Sequence, residues 1–278
     1  RTTAALAATA LLVAACGNGD DADAPEADAP EAEPTDEEAG DADAAGDLDL
    51  VSAGTLTVCS DVPFEPFEFE DPDSDIGFSG FDIDLIQAIA ATADLEVSVV
   101  VSGFDALTSG TAMATGQCDV AASAMTITPE REENIAFSDP YYEALQSLLA
   151  AADGDIASID DLEGQVVGVQ SGTTGEAYAE ENVEGAEIRA FENPGDIFVA
   201  LESGQIDAVL QDLPVNAEFT LDNDGFEVVE EYDTDENYGF ALDQERDDDL
   251  LGVINDGLAQ VRDDGTYDEI FSEYFPGA

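Results

Sequence analysis

The stretch FDIDLIQAIAATADLEVSVVV, residues 81–101, decides the fold class of this chain. Its first part places Phe81, Leu85 and Ile89 four positions apart, which gives a helix one apolar face. The run LEVSVVV that follows, residues 95–101, is rich in β-branched residues and predicts a strand. A helix that leads directly into a buried strand is typical of α/β folds.

The same alternation continues on both sides of this stretch. TLTVCS at residues 55–60 predicts a strand before it, and a helix around 104–115 and the strand DVAASA at 119–124 follow it. The order strand–helix–strand–helix–strand predicts a mostly parallel sheet that is covered by helices.

A second unit of the same kind follows further along the chain. Its predicted elements are a strand at 165–169, a helix from about Thr174, the strand AEIRAF, a helix in PGDIFVALES and a strand at 206–211. The sequence ends in two amphipathic helices, LLGVINDGLAQV and DDGTYDEIFSEYF, which have no strand of their own and must pack on one of the two units.

We therefore expect two α/β lobes with a ligand in the cleft between them. The predicted domain boundaries place residues 51–145 and 234–278 in lobe 1 and residues 146–233 in lobe 2. Two strands should cross between the lobes, near residues 143–147 and 232–238.

The charge of the chain is extreme. It has 67 acidic residues against five arginines and no histidine, and its formal net charge is −62. Nucleic acid is excluded as a partner, because its phosphates would be repelled. The acidity is typical of a halophile or of a generally acidic proteome, and the sequence leaves open whether it also serves function.

The N-terminus predicts export and anchoring. Residues 1–16 have an apolar run of signal-peptide length, too short for a membrane span. The segment VAAC, residues 13–16, resembles the lipobox of bacterial lipoproteins, which implies lipidation of Cys16. Residues 17–50 are rich in acidic residues, alanine and proline, and predict a disordered tether.

Cys59 and Cys118 are the two cysteines outside this N-terminal segment. An exported protein often pairs its cysteines, yet these two lie at different heights on neighbouring predicted strands. The sequence therefore leaves a disulfide open.

Polar and aromatic side chains gather just past the predicted strand ends, where ligands bind in open α/β sheets. Lobe 1 contributes Asp61, Phe64, Phe104, Ser123, Ala124, Thr126 and Arg131, and lobe 2 contributes Gln170, Thr173, Thr174, Gln211 and Asp212.

Together these residues predict a site for an α-amino acid. Arg131, Thr126 and the helix start at Thr173 and Thr174 can hold a carboxylate, and Asp212 can hold an ammonium group. Phe64 and Phe104 can enclose the stem of a side chain, whose polar end Asp61 and Gln170 can meet. Taken singly, an arginine beside three glutamates is more often a surface ion-pair former, a phenylalanine a core residue and a threonine a helix cap, so the prediction depends on their convergence.

The motifs are similar to those of the polar amino-acid-binding proteins of ABC importers, the extracellular solute-binding protein family 3. The similarity runs from about residue 51 to 276, in the order SDVPFEPFEFE, GFSGFDIDL, GFDAL, ASAMTITPEREENIAFSDPYY, VGVQSGTTGEAYA, DAVLQDLP and DDGTYDEIFSEYF. The resemblance implies the two-lobed type II periplasmic-binding-protein fold, an α/β fold with a mostly parallel sheet in each lobe.

The resemblance also implies roles for individual residues. Arg131 would bind the ligand carboxylate with Thr126 and Thr174 beside it, and Asp212 would bind the ammonium group with help from the Ala124 backbone. Residues that would shape side-chain specificity are Asp61, Phe64, Phe104, Gln170 and Gln211. The segment FDALTSGTAMATGQCD is two residues longer than is usual in the family, which leaves the placement of Phe104 open.

The function so implied is that of an extracytoplasmic lipoprotein, monomeric and without cofactor or metal, that captures a free amino acid and docks on an ABC permease. Asp61 favours arginine, lysine or ornithine, whereas Gln170 and Gln211 keep a glutamine binder open. Two other classes remain as alternatives: a periplasmic dehydratase-like enzyme, disfavoured by the lack of histidine and by Asp212, and a protein that presents ligand to a sensor.

Overall fold

The computed structural model of the protein describes residues 48–276, which contain two five-stranded sheets flanked by helices. We call the part built on the first sheet lobe 1 and the part built on the second sheet lobe 2. The elements of lobe 1 are β1 (Thr55–Ser60), β2 (Phe69–Glu70), β3 (Phe78–Ser79), α1 (Phe81–Thr92), β4 (Glu96–Val101), α2 (Phe104–Thr108), α3 (Thr111–Ala114), β5 (Val120–Ala121), β6 (Ile135–Phe137), β12 (Ala241–Asp243), α7 (Leu250–Asp263) and α8 (Thr266–Tyr274).

Lobe 2 is built from the middle of the chain and repeats the strand–helix alternation. Its elements are β7 (Tyr142–Ala151), β8 (Val166–Gln170), α4 (Thr174–Asn182), β9 (Glu187–Phe191), α5 (Pro194–Glu202), β10 (Ala208–Asp212), α6 (Leu213–Asp222) and β11 (Phe226–Tyr238).

In each sheet four strands run in one direction, and one strand, β12 in lobe 1 and β7 in lobe 2, runs opposite to them. In lobe 1 the order is β4-β1-β5-β12-β6; β1 lies parallel to β4 and β5, and β12 is antiparallel to β5 and β6. In lobe 2 the order is β11-β7-β10-β8-β9; β8 lies parallel to β9 and β10, and β7 is antiparallel to β10 and β11. The parallel strands of each lobe therefore end at one sheet edge.

Helix α1 forms where the sequence predicts it, because Phe81, Leu85 and Ile89 all face the core of lobe 1 and are fully buried. The helix begins after Gly80, whose φ of 130° is accessible to glycine and whose Cβ position would overlap the carbonyl oxygen of Phe67. The two C-terminal helices, α7 and α8, pack against α1. The expectation that this tail packs on one lobe is thus met in lobe 1.

Two strands carry the chain between the lobes. β7 leads from lobe 1 into lobe 2 and β11 leads back, and the two pair antiparallel along their length. The predicted crossing segments, 143–147 and 232–238, lie within these strands. The register shifts between Tyr232 and Glu236, at a bulge where Asp235 has a φ of 55°.

Aromatic rings surround the lobe-1 end of these crossing strands. Phe67 lies at the centre of the cluster, with ring centroids 5.1 Å from Tyr142 on β7 and 5.3 Å from Tyr238 on β11. Phe275, just after α8, lies 5.1 Å from Tyr142. Such contacts contribute about 0.5–1.5 kcal/mol each beyond the buried area, so they hold this end of both strands firmly in lobe 1.

Two predicted elements differ from the structure. The helix expected around 104–115 is two short helices, because Gly110 takes a left-handed conformation and lies against Ile135, whose Cγ2 would be 2.9 Å from an added Cβ. The strand expected at 119–124 pairs only at Val120–Ala121. Beyond it, the backbone N–H of Ala124 donates to the Asp82 carboxylate instead of to a neighbouring strand.

Cys59 and Cys118 form a disulfide, with their Cα atoms 5.7 Å apart. That separation lies inside the normal range for disulfides, so the difference in height along the strands does not keep them apart. The bond joins the middle of the lobe-1 sheet to the segment that enters β5.

The predicted signal peptide, its lipidation site Cys16 and the predicted tether up to residue 47 lie outside the described residues. The last residues of the predicted tether, 48–50, belong to the folded part, since Leu48 and Leu50 pack on the lobe-1 core. Within residues 48–276, no helix is both long enough and apolar enough to span a membrane.

Candidate functional site

The predicted site residues lie at the carboxyl ends of four strands, two from each lobe. Asp61 follows β1, the segment from Ser123 to Thr126 follows β5, Gln170 ends β8 and Asp212 ends β10. Nine of the twelve are buried, and Phe64, Thr173 and Thr174 are partly buried. The structure therefore collects in the interlobe region polar groups that are far apart in sequence.

Arg131 is the cation of this region. It lies on a single 3₁₀ turn after the β5 loop and is 7% exposed. Its guanidinium donates 2.7 Å to the carbonyl of Thr126 in lobe 1 and 3.1 Å to the carbonyl of Gly172 in lobe 2, and it lies 5.1 Å from the Phe104 ring centroid. Burial lowers the pKa of Arg131, and the nearby carboxylates of Asp212 and Glu236 oppose that change. No described carboxylate forms an ion pair with it, so its charge is available to an anion.

Asp212 is the buried anion that faces this region from lobe 2. Its carboxylate accepts hydrogen bonds from Nε2 of Gln146, at 2.5 Å, and from the hydroxyl of Tyr238. Burial raises the pKa of Asp212 to about 7, and the neighbouring charge of Glu236 adds to that rise. Because a cation would favour the ionised form, this arrangement suits an ammonium group.

Two hydroxyl groups meet between the lobes. Thr126 Oγ1 of lobe 1 and Thr174 Oγ1 at the start of α4 in lobe 2 are 3.5 Å apart. The first turn of α4 also carries a capping bond, from the backbone N–H of Glu176 to the hydroxyl of Thr173. A helix start with hydroxyl groups beside an arginine is a suitable place for a carboxylate.

Glu236 is a buried member of this site that sequence reasoning missed. Its Oε2 accepts from the hydroxyls of Thr126, at 2.8 Å, and Thr174, at 2.7 Å. Glu236 lies within the crossing strand β11 and not just past a strand end, so the strand-end rule does not predict it. The signal that could have found it is an acidic residue on a strand predicted to line the cleft.

The opposite end of the site is built from fewer polar contacts. Nε2 of Gln170 in lobe 2 donates 2.7 Å to Oδ2 of Asp61 in lobe 1. Burial raises the pKa of Asp61 to about 6; the bond from Gln170 lowers it and the charge of Asp105 raises it further. Phe64 and Phe104 line a small cavity at this end together with Asp61 and Gln170.

Three predicted residues have structural partners of their own. Ser123 donates to Glu68 at 2.7 Å and accepts from the backbone N–H of Asp61 at 3.0 Å, so it braces the loop after β1. Ala124 takes a left-handed φ of 42°, and its backbone N–H donates 2.8 Å to the Asp82 carboxylate. The Gln211 amide donates 3.0 Å to Asn216 on α6, and Gln211 does not line the cavity beside Asp61.

The cavity that the predicted residues enclose is small. It measures about 20 Å³ and is bordered by Asp61, Phe64, Phe104, Ser123, Ala124, Gln170 and Thr173. This is the room that one water molecule needs, so an amino acid can enter only if the lobes separate or the lining moves. A larger cavity of about 270 Å³ lies between the lobes on the other side of Phe64, against Phe198 and Phe219.

Among residues 48–276 the structure contains no cluster of three or more histidine, cysteine, aspartate or glutamate side chains arranged to hold a metal ion. The arrangement of a cation with hydroxyls, a nearby carboxylate, and a second carboxylate in a cavity lined by two aromatic rings suits a small zwitterion.

Comparison with known protein sequences identifies the family of this chain. Residues 56–277 match the family model described as bacterial extracellular solute-binding proteins, family 3. A probable histidine-binding protein of Neisseria gonorrhoeae is 33% identical over 279 residues, which cover 98% of this chain and 94% of that protein. The lysine/arginine/ornithine-binding periplasmic protein of Escherichia coli (strain K12) is 33% identical over 231 residues, which cover 80% of this chain and 87% of that protein.

Solved structures agree with the sequence comparison. An ancestral arginine-binding protein bound to arginine has a TM-score of 0.74 and 37% identity, and the match covers 80% of this chain and 98% of that one. A structure of an ancestral arginine-binding protein bound to glutamine also has a TM-score of 0.74, with 36% identity, over 81% of this chain and 99% of that one. The predicted two-lobed, type II periplasmic-binding-protein fold is confirmed by these likenesses.

Proposed function

The chain belongs to the bacterial extracellular solute-binding proteins of family 3, and we propose that it captures one free amino acid between its lobes and delivers it to an ABC permease. The observation that carries the proposal is the convergence of Arg131 from lobe 1 and Asp212 from lobe 2 on one buried region, with the Thr126 and Thr174 hydroxyls 3.5 Å apart between the lobes. A cation with hydroxyls and a separate buried carboxylate match the two charged groups that every α-amino acid carries.

Contacts made by both lobes to the same ligand explain why binding would close the cleft. Arg131 already donates to the Gly172 carbonyl of lobe 2, and Gln170 of lobe 2 donates to Asp61 of lobe 1. A ligand shifts a conformational equilibrium only by the difference in its affinity for the two conformations. An amino acid that touches Arg131 and Asp212 together gains both contacts only when the lobes are close.

We propose a cationic amino acid, arginine, lysine or ornithine, as the ligand. Asp61 borders the same cavity as the Phe64 and Phe104 rings, and its carboxylate would pair with the guanidinium or ammonium group of an extended side chain placed there. The names of the E. coli relative and of the ancestral structures agree with this choice. The acidic chain would also attract a cation, although salt would screen that attraction.

Glutamine is the second candidate, because one observation favours it. Gln170 already bonds Asp61 through its amide, so the same pair could meet the amide of a ligand. A likeness to an ancestral arginine-binding protein solved with glutamine supports keeping this candidate. An acidic ligand side chain should be rejected, since Asp61 would repel it.

We further propose that the protein acts outside the cytoplasmic membrane as a monomer, held there by lipidated Cys16, and that it performs no catalysis. The lipobox-like VAAC and the following acidic segment support the anchor. Radiolabelled palmitate should enter the wild type and not Cys16→Ser; equal labelling of both proteins would refute the anchor. Asp212, poised for an ammonium group, and the lack of any histidine in the sequence favour binding over acid–base chemistry.

The deciding experiment is a thermal-shift screen against the twenty amino acids with ornithine, citrulline and cystine, followed by calorimetry on the hits. A bound ligand stabilises the fold by about 2.7 kcal/mol at a concentration one hundred times its Kd. We expect arginine, lysine or ornithine to give the largest shift and glutamate to give none. Tight binding of glutamate, or no shift with any amino acid, would refute the proposal.

A further inference from the structure

We propose that Glu236 is a further specificity-determining residue of this site, a hinge carboxylate that competes with the α-carboxylate of the ligand. The inference rests on the proposed function, because it concerns the subsite to which that function assigns Arg131, Thr126 and Thr174. It adds a residue from the crossing strand β11, outside the four strand ends that form the rest of the site.

The geometry makes Glu236 an internal substitute for a ligand carboxylate. One of its oxygens, Oε2, accepts the hydroxyl of Thr126 from lobe 1 at 2.8 Å and the hydroxyl of Thr174 from lobe 2 at 2.7 Å. These are the two hydroxyl groups that are proposed to bind the ligand carboxylate. The same oxygen therefore links the two lobes, as a bound carboxylate would.

The rest of the Glu236 carboxylate is also bound. Its Oε1 accepts from the hydroxyl of Thr234 at 2.8 Å, and Nε2 of Gln146 lies 3.2 and 3.3 Å from the two oxygens. The residue is 7% exposed. A buried carboxylate surrounded by donors on both oxygens is held in place by these bonds and is not a loosely placed surface charge.

Glu236 and the ligand carboxylate compete because the two threonine hydroxyls have few hydrogens to donate. Each threonine hydroxyl has a single hydrogen to donate, so it can serve one carboxylate at a time. A ligand carboxylate that takes the hydroxyls of Thr126 and Thr174 must displace Glu236 from both. Two carboxylates beside the same hydroxyls would also repel each other in a buried place, where charges are poorly screened.

A ligand without a carboxylate has no such competitor. Agmatine keeps the guanidinium and the amine of arginine but lacks its α-carboxylate, so it can occupy the Asp61 and Asp212 ends while Glu236 stays bound. Glu236 should therefore reduce the preference of the site for arginine over agmatine. Removing the carboxylate should restore that preference.

The test compares Glu236→Gln and Glu236→Ala with the wild type by calorimetry, using L-arginine and agmatine as probes. Glu231→Gln is the matched control, because Glu231 is an exposed glutamate on the same strand. We expect the arginine-to-agmatine affinity ratio to rise about tenfold in Glu236→Ala, the size of one lost charge-assisted bond, less in Glu236→Gln, and not in Glu231→Gln. If both affinities fall by the same factor, Glu236 binds the ammonium group; if neither changes, it is only structural. Either result overturns the inference.

A second measurement needs no amino acid and so separates the inference from the proposed function. Small-angle scattering of the ligand-free proteins should give a larger radius of gyration for Glu236→Ala than for the wild type and Glu231→Gln, because the link between Thr126 and Thr174 is lost. If wild-type protein binds neither probe, the choice of a cationic ligand fails, and scattering alone decides on Glu236. Identical scattering curves for all three proteins would refute the interlobe link.

Discussion

The two ends of the site differ in how many groups define them. At the end proposed for the α-carboxylate and ammonium, Arg131, Asp212 and Glu236 lie among hydroxyl, amide and phenol donors from both lobes and from the crossing strands. At the side-chain end, one hydrogen bond from Gln170 to Asp61 joins the lobes beside two phenylalanine rings. Under the proposed function, many groups would bind the part common to all amino acids and few would contact the variable side chain.

This contrast has a consequence for specificity. Loss of Arg131 or Asp212 at the redundant end removes a charge proposed to pair with a group that every α-amino acid carries, so the binding of all amino acids should weaken together. A change at the side-chain end alters one charge or one amide and can exchange one ligand for another.

The largest effect is expected from Arg131→Ala, which removes the cation of the redundant end. Binding of any amino acid should weaken by roughly 3–5 kcal/mol, as when one partner of a buried ion pair is removed. The fold should survive, because the guanidinium bonds only two backbone carbonyls. Calorimetry on the variant measures the loss, and Arg189→Ala, which removes an exposed arginine paired with Glu187, is the control that should bind normally. Wild-type affinity in Arg131→Ala would refute the carboxylate assignment.

A smaller and ligand-dependent effect is expected from Asp61→Asn at the side-chain end. Arginine should lose roughly 1.5–3 kcal/mol, the range for hydrogen bonds to charged groups, whereas glutamine should lose little or gain. Titration of both ligands into both proteins gives the comparison, and Asp105→Asn removes an exposed charge nearby as a control. Unchanged arginine affinity in Asp61→Asn would show that Asp61 does not bind the ligand side chain.

The smallest effect is the pH dependence, which tests both ends at once. The pKa of Asp61 is raised to about 6 and that of Asp212 to about 7, so both carboxylates take up protons as the pH falls through this range. A cationic ligand favours their ionised forms, so its affinity should fall with falling pH, by roughly tenfold between pH 7 and pH 6. In Asp61→Asn the fall should be shallower, because Asp212 alone remains. An arginine affinity that is constant from pH 8 to pH 5 would contradict the pairing of the ligand with these groups.

Much of this arrangement could be predicted from the sequence, because local patterns determine it. β1 and α1 follow from residue periodicity, and the placement of Asp61, Gln170 and Asp212 at the edge of the sheets could be predicted because they come at the ends of buried strands. Glu236 was missed because its direction depends on a bulge in β11 and on pairing with β7, which is remote in sequence. The disulfide and the break at Gly110 were likewise set by segments that approach each other only in the folded chain, Cys118 against β1 and Ile135 against α2–α3.

The crossing strands are held rigidly at their lobe-1 end. The rings of Tyr142 and Tyr238 stack 5.4 Å apart within the aromatic cluster of lobe 1, and the backbone N–H of Ile127 donates to the carbonyl of Asn237 at 2.8 Å. Bending should then concentrate at the bulge around Asp235, on the lobe-2 side of Glu236. On opening, Glu236 would travel with lobe 1, keep its bond to Thr126 and release Thr174.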